Sequence, residues 1–166
     1  MSGELNFVRQ QGFPKDAPDT CAARYPALMW QPRVIGVVVL SLVALQWAPG
    51  FLALGALLWW NAAVPSLNPF DALYNALVAH PKGRPPLPAA PAPRRFSQVM
   101  AGTFMLAIGS CLLAGRPAAA WILEGLLLAA LVALVFGRFC LGSYLFHLAT
   151  GDAAFANRTL PWTPAE

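Results

Sequence analysis

The sequence predicts an all-α, polytopic integral membrane protein: four transmembrane helices in two hairpins, plus one short interfacial helix. Three observations lead there. Of 166 residues, 58% are hydrophobic and only 11% charged, more apolar surface than a soluble domain of this size can cover. From Trp121 to Phe139 the chain is apolar for nineteen positions, interrupted only by Glu124 and Arg138. At about 1.5 Å per residue that run covers roughly 28 Å, close to the hydrocarbon thickness of a bilayer. The third observation is where the basic residues fall.

Residues 1–31 are polar and broken by proline, and read as an irregular cytosolic arm with no cleavable leader. Residues 34–64 are apolar for too long to be one upright span, and Pro49-Gly50 in the middle is a turn dipeptide. Charge decides between one span and two. With one span here, Arg9, Lys15, Arg24, Arg33 and Arg116 face Lys82, Arg84, Arg94, Arg95, Arg138 and Arg158 across the membrane, five against six, which gives no orientation. With a hairpin, Arg116 alone lies outside and the other ten lie together. The positive-inside rule selects the hairpin, with both termini cytoplasmic. Its short spans, about 32–48 and 50–64, are anchored by Trp30, Trp47, Trp59 and Trp60.

Asn68-Pro69-Phe70-Asp71 carries an N-cap, a proline at the first helical position and an acid in the first turn. Phe70, Leu73, Tyr74 and Leu77 then form one apolar stripe, predicting an interfacial helix over about 69–79. His80-Pro81 ends it. The proline-rich strap 81–94 is expected to be extended. Its Lys82 and Arg84, with Arg94, Arg95 and Arg138, are candidate contacts for anionic lipid headgroups.

Spans three and four are expected at about 97–115 and 118–142, joined by a tight turn at Gly115-Arg116-Pro117. Thr103, Ala107, Cys111 and Gly115 recur every four residues, as do Gly125, Ala129, Ala133 and Gly137. Each set puts small residues on one helix face, where backbones in lipid approach closely. These strips are expected to face other helices, most simply each other. The tail 151–166 reads as cytosolic and irregular.

Four pieces resemble a bacterial family of small membrane proteins catalogued as domain of unknown function 4395. They are the QPR at Gln31–Arg33, the NPFDALYNALVAHPKG at Asn68–Gly83, the PAPRRFSQ at Pro91–Gln98 and the GRFCLGS at Gly137–Ser143. In order and spacing they span about residues 30–148. The resemblance implies a four-helix membrane domain of the bacterial inner membrane and supplies no reaction and no catalytic residue. The family pattern near the end is similar to G-F-C-x-G-C; Cys140 matches its first cysteine, and Ser143 stands at the second.

Candidate chemistry is sparse. Cys140 and Ser143 form C-x-x-S at the inner end of the fourth span, on one helix face. A C-x-x-C pair cycles between dithiol and disulfide and this pair does not, which leaves a single candidate redox thiol. Glu124 is a candidate intramembrane acid, read as reaching the outer interface near Arg116. Arg138 is read as snorkelling to headgroups or meeting a carboxylate such as Asp71. His80 and His147 stand apart from any metal-ligand spacing. Cys111 reads as packing and Cys21 as an ordinary thiol. There is no phosphate loop, nucleophile elbow, zinc motif or dinucleotide fingerprint, and no basic patch of the nucleic-acid-binding kind.

The sequence therefore favours a non-catalytic accessory or scaffold subunit, packed against the other transmembrane subunits of a larger complex of respiratory or photosynthetic electron transfer. No convergent polar site is visible to suggest otherwise. The alternative is a membrane thiol-redox or sulfur-handling protein using Cys140. A small transporter would need Glu124 to line a cavity. No cofactor is expected beyond peripheral contact with pigment, quinone or lipid.

Overall fold

Proline sits in the first turn of five of the helices that build this fold, where its missing N–H goes unused. The structure is a computed structural model and describes residues 2–164. Among the described residues all regular structure is helical: α1 (Ser2–Gln10), α2 (Pro18–Leu45), α3 (Ala48–Ala63), α4 (Pro69–Tyr74), α5 (Ala92–Leu113), α6 (Pro117–Val135), α7 (Leu141–Ala149) and α8 (Ala153–Arg158). Helices α2, α5 and α6 are long and apolar enough to cross a membrane; α3 is apolar but has 16 residues, about 24 Å.

The N-terminal arm is not irregular. α1 and the first turns of α2 are helical, and α2 begins at Pro18 rather than near residue 32, carrying Pro26 and Pro32 inside it. Packing outweighs the backbone bonds those prolines forfeit: Phe7 and Val8 are buried, and Phe7 meets Tyr25 edge-on with ring centroids 5.6 Å apart. The tail is helical in part as well. α8 is capped by Asp152, and Asn6 Nδ2 donates to the carbonyls of Leu160 (2.9 Å) and Thr163 (3.0 Å), tying the two ends of the chain together.

The α2–α3 turn falls at Gln46-Trp47, just before the predicted Pro49-Gly50, which lies inside the first turn of α3. Gln46 takes the left-handed conformation (φ 47°), and its amide and that of Trp47 close onto the last carbonyls of α2. α3 then runs back antiparallel to α5 in close backbone contact. A Cβ on Gly55 or on Gly102 would lie 2.9 Å from the other's carbonyl oxygen, and one on Gly109 would lie 3.0 Å from that of Ala48.

The two predicted strips do not form this contact. Thr103, Gly115, Gly125, Ala129 and Gly137 are exposed, Ala107, Cys111 and Ala133 half-buried, and a Cβ at Gly125 would meet nothing. A four-residue period identifies a strip but not the face that meets a neighbour. On α5 the face that meets α3 carries Gly102 and Gly109, one position from the predicted Thr103.

α4 begins as predicted, with the Asn68 side chain accepting from the Phe70 amide at 3.0 Å, and then passes into a π turn at Asn75–Ala79. Its stripe is divided: Tyr74 is buried, Phe70 half-buried, and Leu73 and Leu77 exposed. The strap is pinned by Asn75, which donates to the carbonyl and accepts from the amide of Leu87.

Candidate functional site around Cys140

The fourth span does not continue to residue 142. α6 ends at Val135, and Arg138 takes a left-handed φ of 57°. Gly137 permits the reversal because a Cβ there would lie 2.6 Å from the carbonyl oxygen of Ala133. The amides of Gly137 and Phe139 bond back to Val132 and Ala133. Cys140 then becomes the N-cap of α7, with Ser143 in its first turn. The expected setting of Cys140, the C-terminal end of a helix, is corrected: the thiol stands at the N-terminal end of α7.

Gly142 brings α7 against α5. A Cβ on it would fall 2.7 Å from Ser97 Oγ, so the two backbones meet where Cys140, Ser143 and Ser97 converge. Ser97 Oγ lies 3.4 Å from Cys140 Sγ and 3.0 Å from Ser143 Oγ, and it donates to the Pro93 carbonyl at 2.9 Å. With its one proton spent there, Ser97 accepts from both Cys140 and Ser143. Gln11 Nε2 of the N-terminal segment donates to Ser143 Oγ at 2.9 Å.

A second polar group adjoins the first. Arg94 is not at the headgroups; it is buried, with Nη1 on Asp71 Oδ2 at 2.9 Å, Nη2 on Asp71 Oδ1 at 2.5 Å and Nη2 on Gln31 Oε1 at 2.7 Å. Gln98 Nε2 also donates to Gln31 Oε1, at 3.2 Å, and Asn68 Nδ2 to Asp71, at 3.0 Å. Guanidinium and carboxylate form a two-pronged pair that locks the start of α5 to α4 and α2. This leaves Arg138, which the sequence paired with Asp71, to reach Glu4 at 3.4 Å and to lie over the Tyr25 ring.

Two cavities meet at Cys140. The inner one, about 80 Å³, is walled by Gln11, Gln31, Arg94, Ser97, Gln98 and Cys140 together with apolar side chains. The outer one, about 220 Å³, is an apolar cleft between α5 and α6, floored by Cys140 and Gly142. Ser97, Ala101, Leu131, Leu134 and Cys140 line both. Gln98 is 6% exposed, and its Oε1 has no hydrogen-bond partner. A buried acceptor left open beside a thiol and a guanidinium marks room for a polar group of a ligand.

The remaining candidates lie elsewhere. Glu124 is buried rather than open to water: it is 3% exposed, and both its oxygens accept from Nε2 of Gln46 in the α2–α3 turn at 3.1 Å. It thus secures the α2–α3 turn to α6. His147 Nε2 faces the Gln10 carbonyl at 3.0 Å and so must carry its proton there, and the ring packs on Phe146 and Phe155. His80 is exposed, as are Lys82 and Arg84, while Arg95 Nε donates to the Ala62 carbonyl at 2.6 Å. Cys21 is buried, with Sγ 3.6 Å from the Asp16 carbonyl. Sequence reading missed Gln11, Gln31, Ser97 and Gln98. One signal was available: Arg94, Ser97, Gln98 and Ala101 recur at i, i+3, i+4, i+7 and share a face of α5.

An all-helical chain with three membrane-length helices and a polar, thiol-bearing cluster where α5 meets α7 is an integral membrane protein by its class. Its residues 28–150 match the family model described as Domain of unknown function (DUF4395), and the chain belongs to that family. No curated protein and no solved structure matches it.

Proposed function

We propose that this protein crosses the cytoplasmic membrane four times, with both termini inside, and carries out single-thiol exchange at Cys140 on disulfides that arrive through the α5–α6 cleft. The observation that carries the reading is the position of Cys140: buried, at the N-cap of α7, in the wall between a polar cavity and an apolar cleft. The scaffold reading rested on the lack of a convergent polar site, and the cluster around Ser97 and Arg94 supplies one.

The chemistry balances with one cysteine. The Cys140 thiolate attacks one sulfur of a disulfide; a new S–S bond forms, the old one breaks, and the departing thiolate takes up the proton that Cys140 lost. Ser143 does not resolve the mixed disulfide, so a second, external thiol does, releasing its adduct and restoring Cys140. Ser97 orients the sulfur, and Gln98 and Arg94 are placed to receive a polar end of the substrate. The test uses the full chain in lipid vesicles with a dialkyl disulfide, followed by intact mass. One alkylthio adduct on Cys140 is expected, absent in Cys140→Ser and at least tenfold slower in Ser97→Ala. Adducts only on Cys21 or Cys111 would overturn the reading.

The accessory-subunit reading remains as a second one, favoured by α6, the least buried of the long helices, with Trp121, Ile122, Leu126 and Phe136 turned outward. Purification in mild detergent decides it. A stoichiometric membrane companion supports it, and a lone monomer removes it.

A further inference from the structure

On the opposite flank of α6 from the thiol cleft lies a second groove, about 250 Å³, between α6 and α2. Gly36, Val37 and Leu40 of α2 face Leu128, Val132 and Phe136 across it, and its lining is apolar except at one end, where Arg33 stands. A Cβ at Gly36 would meet nothing within 4 Å, so the missing side chain opens the groove rather than closing it. Arg33 is exposed and has no hydrogen-bond or ion-pair partner among the described residues. Arg24, Arg94 and Arg138, by contrast, each hold a carboxylate.

Arg33 is level with the last turn of α6, at the end of the molecule that holds Arg94 and Arg138. From Arg33 to Leu40 the groove follows roughly 10 Å of α2 into the apolar zone. A cation at the rim and an apolar trough below it match one amphiphile, a lipid with an anionic headgroup. We propose that this groove is a specific site for one anionic phospholipid of the inner leaflet, its phosphate on the Arg33 guanidinium and one acyl chain along Gly36 and Leu40. Arg33 is free to serve because no carboxylate among the described residues competes for it, and a guanidinium binds phosphate oxygens with two N–H groups at once. The proposal does not depend on chemistry at Cys140.

The test is native mass spectrometry of the full chain in detergent titrated with phosphatidylglycerol or phosphatidylcholine. One phosphatidylglycerol is expected to bind in preference to phosphatidylcholine. Arg33→Gln should weaken it about fivefold, the worth of one cation at a headgroup. Arg33→Lys should retain part of that, Gly36→Leu should displace the lipid with Arg33 intact, and Lys82→Gln should change nothing. Equal binding of the two lipids, or an unchanged Arg33→Gln titration, would overturn the proposal. So would a second copy of the chain or another protein found covering the groove. Arg33 is exposed and unpaired, so its substitution leaves the fold intact and the readout interpretable.

Discussion

Arg94 and Asp71 have side chains 6% and 9% exposed, and at that depth neither charge tolerates losing the other. Replacing Asp71 by Asn leaves a buried guanidinium short of its counter-charge and should cost about 3–5 kcal/mol, read as lost resistance to chemical denaturation in detergent. The double replacement Arg94→Met, Asp71→Leu should recover more than half of that, because an apolar pair of similar volume removes the desolvation cost along with the attraction. If the double variant is as unstable as the single one, the pair is not the source of the effect. The same residue shows why sequence reading misplaced it. Arg94 sits in a proline-rich basic stretch that suits headgroups, and nothing local reveals that Asp71, twenty-three positions earlier, returns to meet it. Cys140 was legible as a residue but not in its setting, because a glycine inside an apolar run is compatible with an unbroken helix, and the break at Gly137-Arg138 rests on one backbone reversal.

Among the elements, the α3–α5 pair depends on two glycines in backbone contact. Gly102→Leu should force the helices apart and cost about 1–3 kcal/mol, with Gly55→Leu similar. Gly125→Leu, at a position facing open space, should cost nothing measurable. Melting in detergent checks all three, and a stable Gly102→Leu would show that the pair is not close-packed. α7 depends on a glycine in the same way: Gly142→Leu should push it off Ser97 and slow Cys140 alkylation by a charged reagent differently from an apolar one. Two helix starts were legible, since Asn68-Pro69 caps α4 and Pro117 opens α6, whereas the start of α5 and the end of α6 were not. Nor were the two N-terminal helices. Their prolines read as breakers in a polar stretch, whereas Pro18 opens α2 and Pro26 and Pro32 are held within it by the burial of Phe7, Tyr25 and Leu28.

At the scale of the whole molecule, one end is polar and the other sparse. The α5–α6 turn carries Arg116, while Arg33, Arg94 and Arg138 stand at the other end, with α4 and the thiol cluster. The order of the basic residues along the chain made this asymmetry an expectation. What it did not reveal was that the polar end is a packed assembly, with α1 and the tail closed over the helix bundle through Asn6 and Gln11. Phe7 and Gln11 of that cover wall the inner cavity beside Cys140. Removing residues 1–16 should therefore expose the inner cavity and make Cys140 reactive to a charged maleimide from the aqueous side. No gain in that rate would count against the N-terminal segment as a cover.

The whole arrangement rests on α3, at 16 residues, returning the chain to the side from which α2 started. In a variant lacking native cysteines, Ala114→Cys and Ser66→Cys can each be challenged in sealed cells with a membrane-impermeant maleimide. Ala114→Cys is expected to label from outside and Ser66→Cys only after lysis. Labelling of Ser66→Cys in sealed cells, with Ala114→Cys protected, would mean that α3 does not cross or that the bundle is inverted, and in either case that the thiol site faces the opposite compartment.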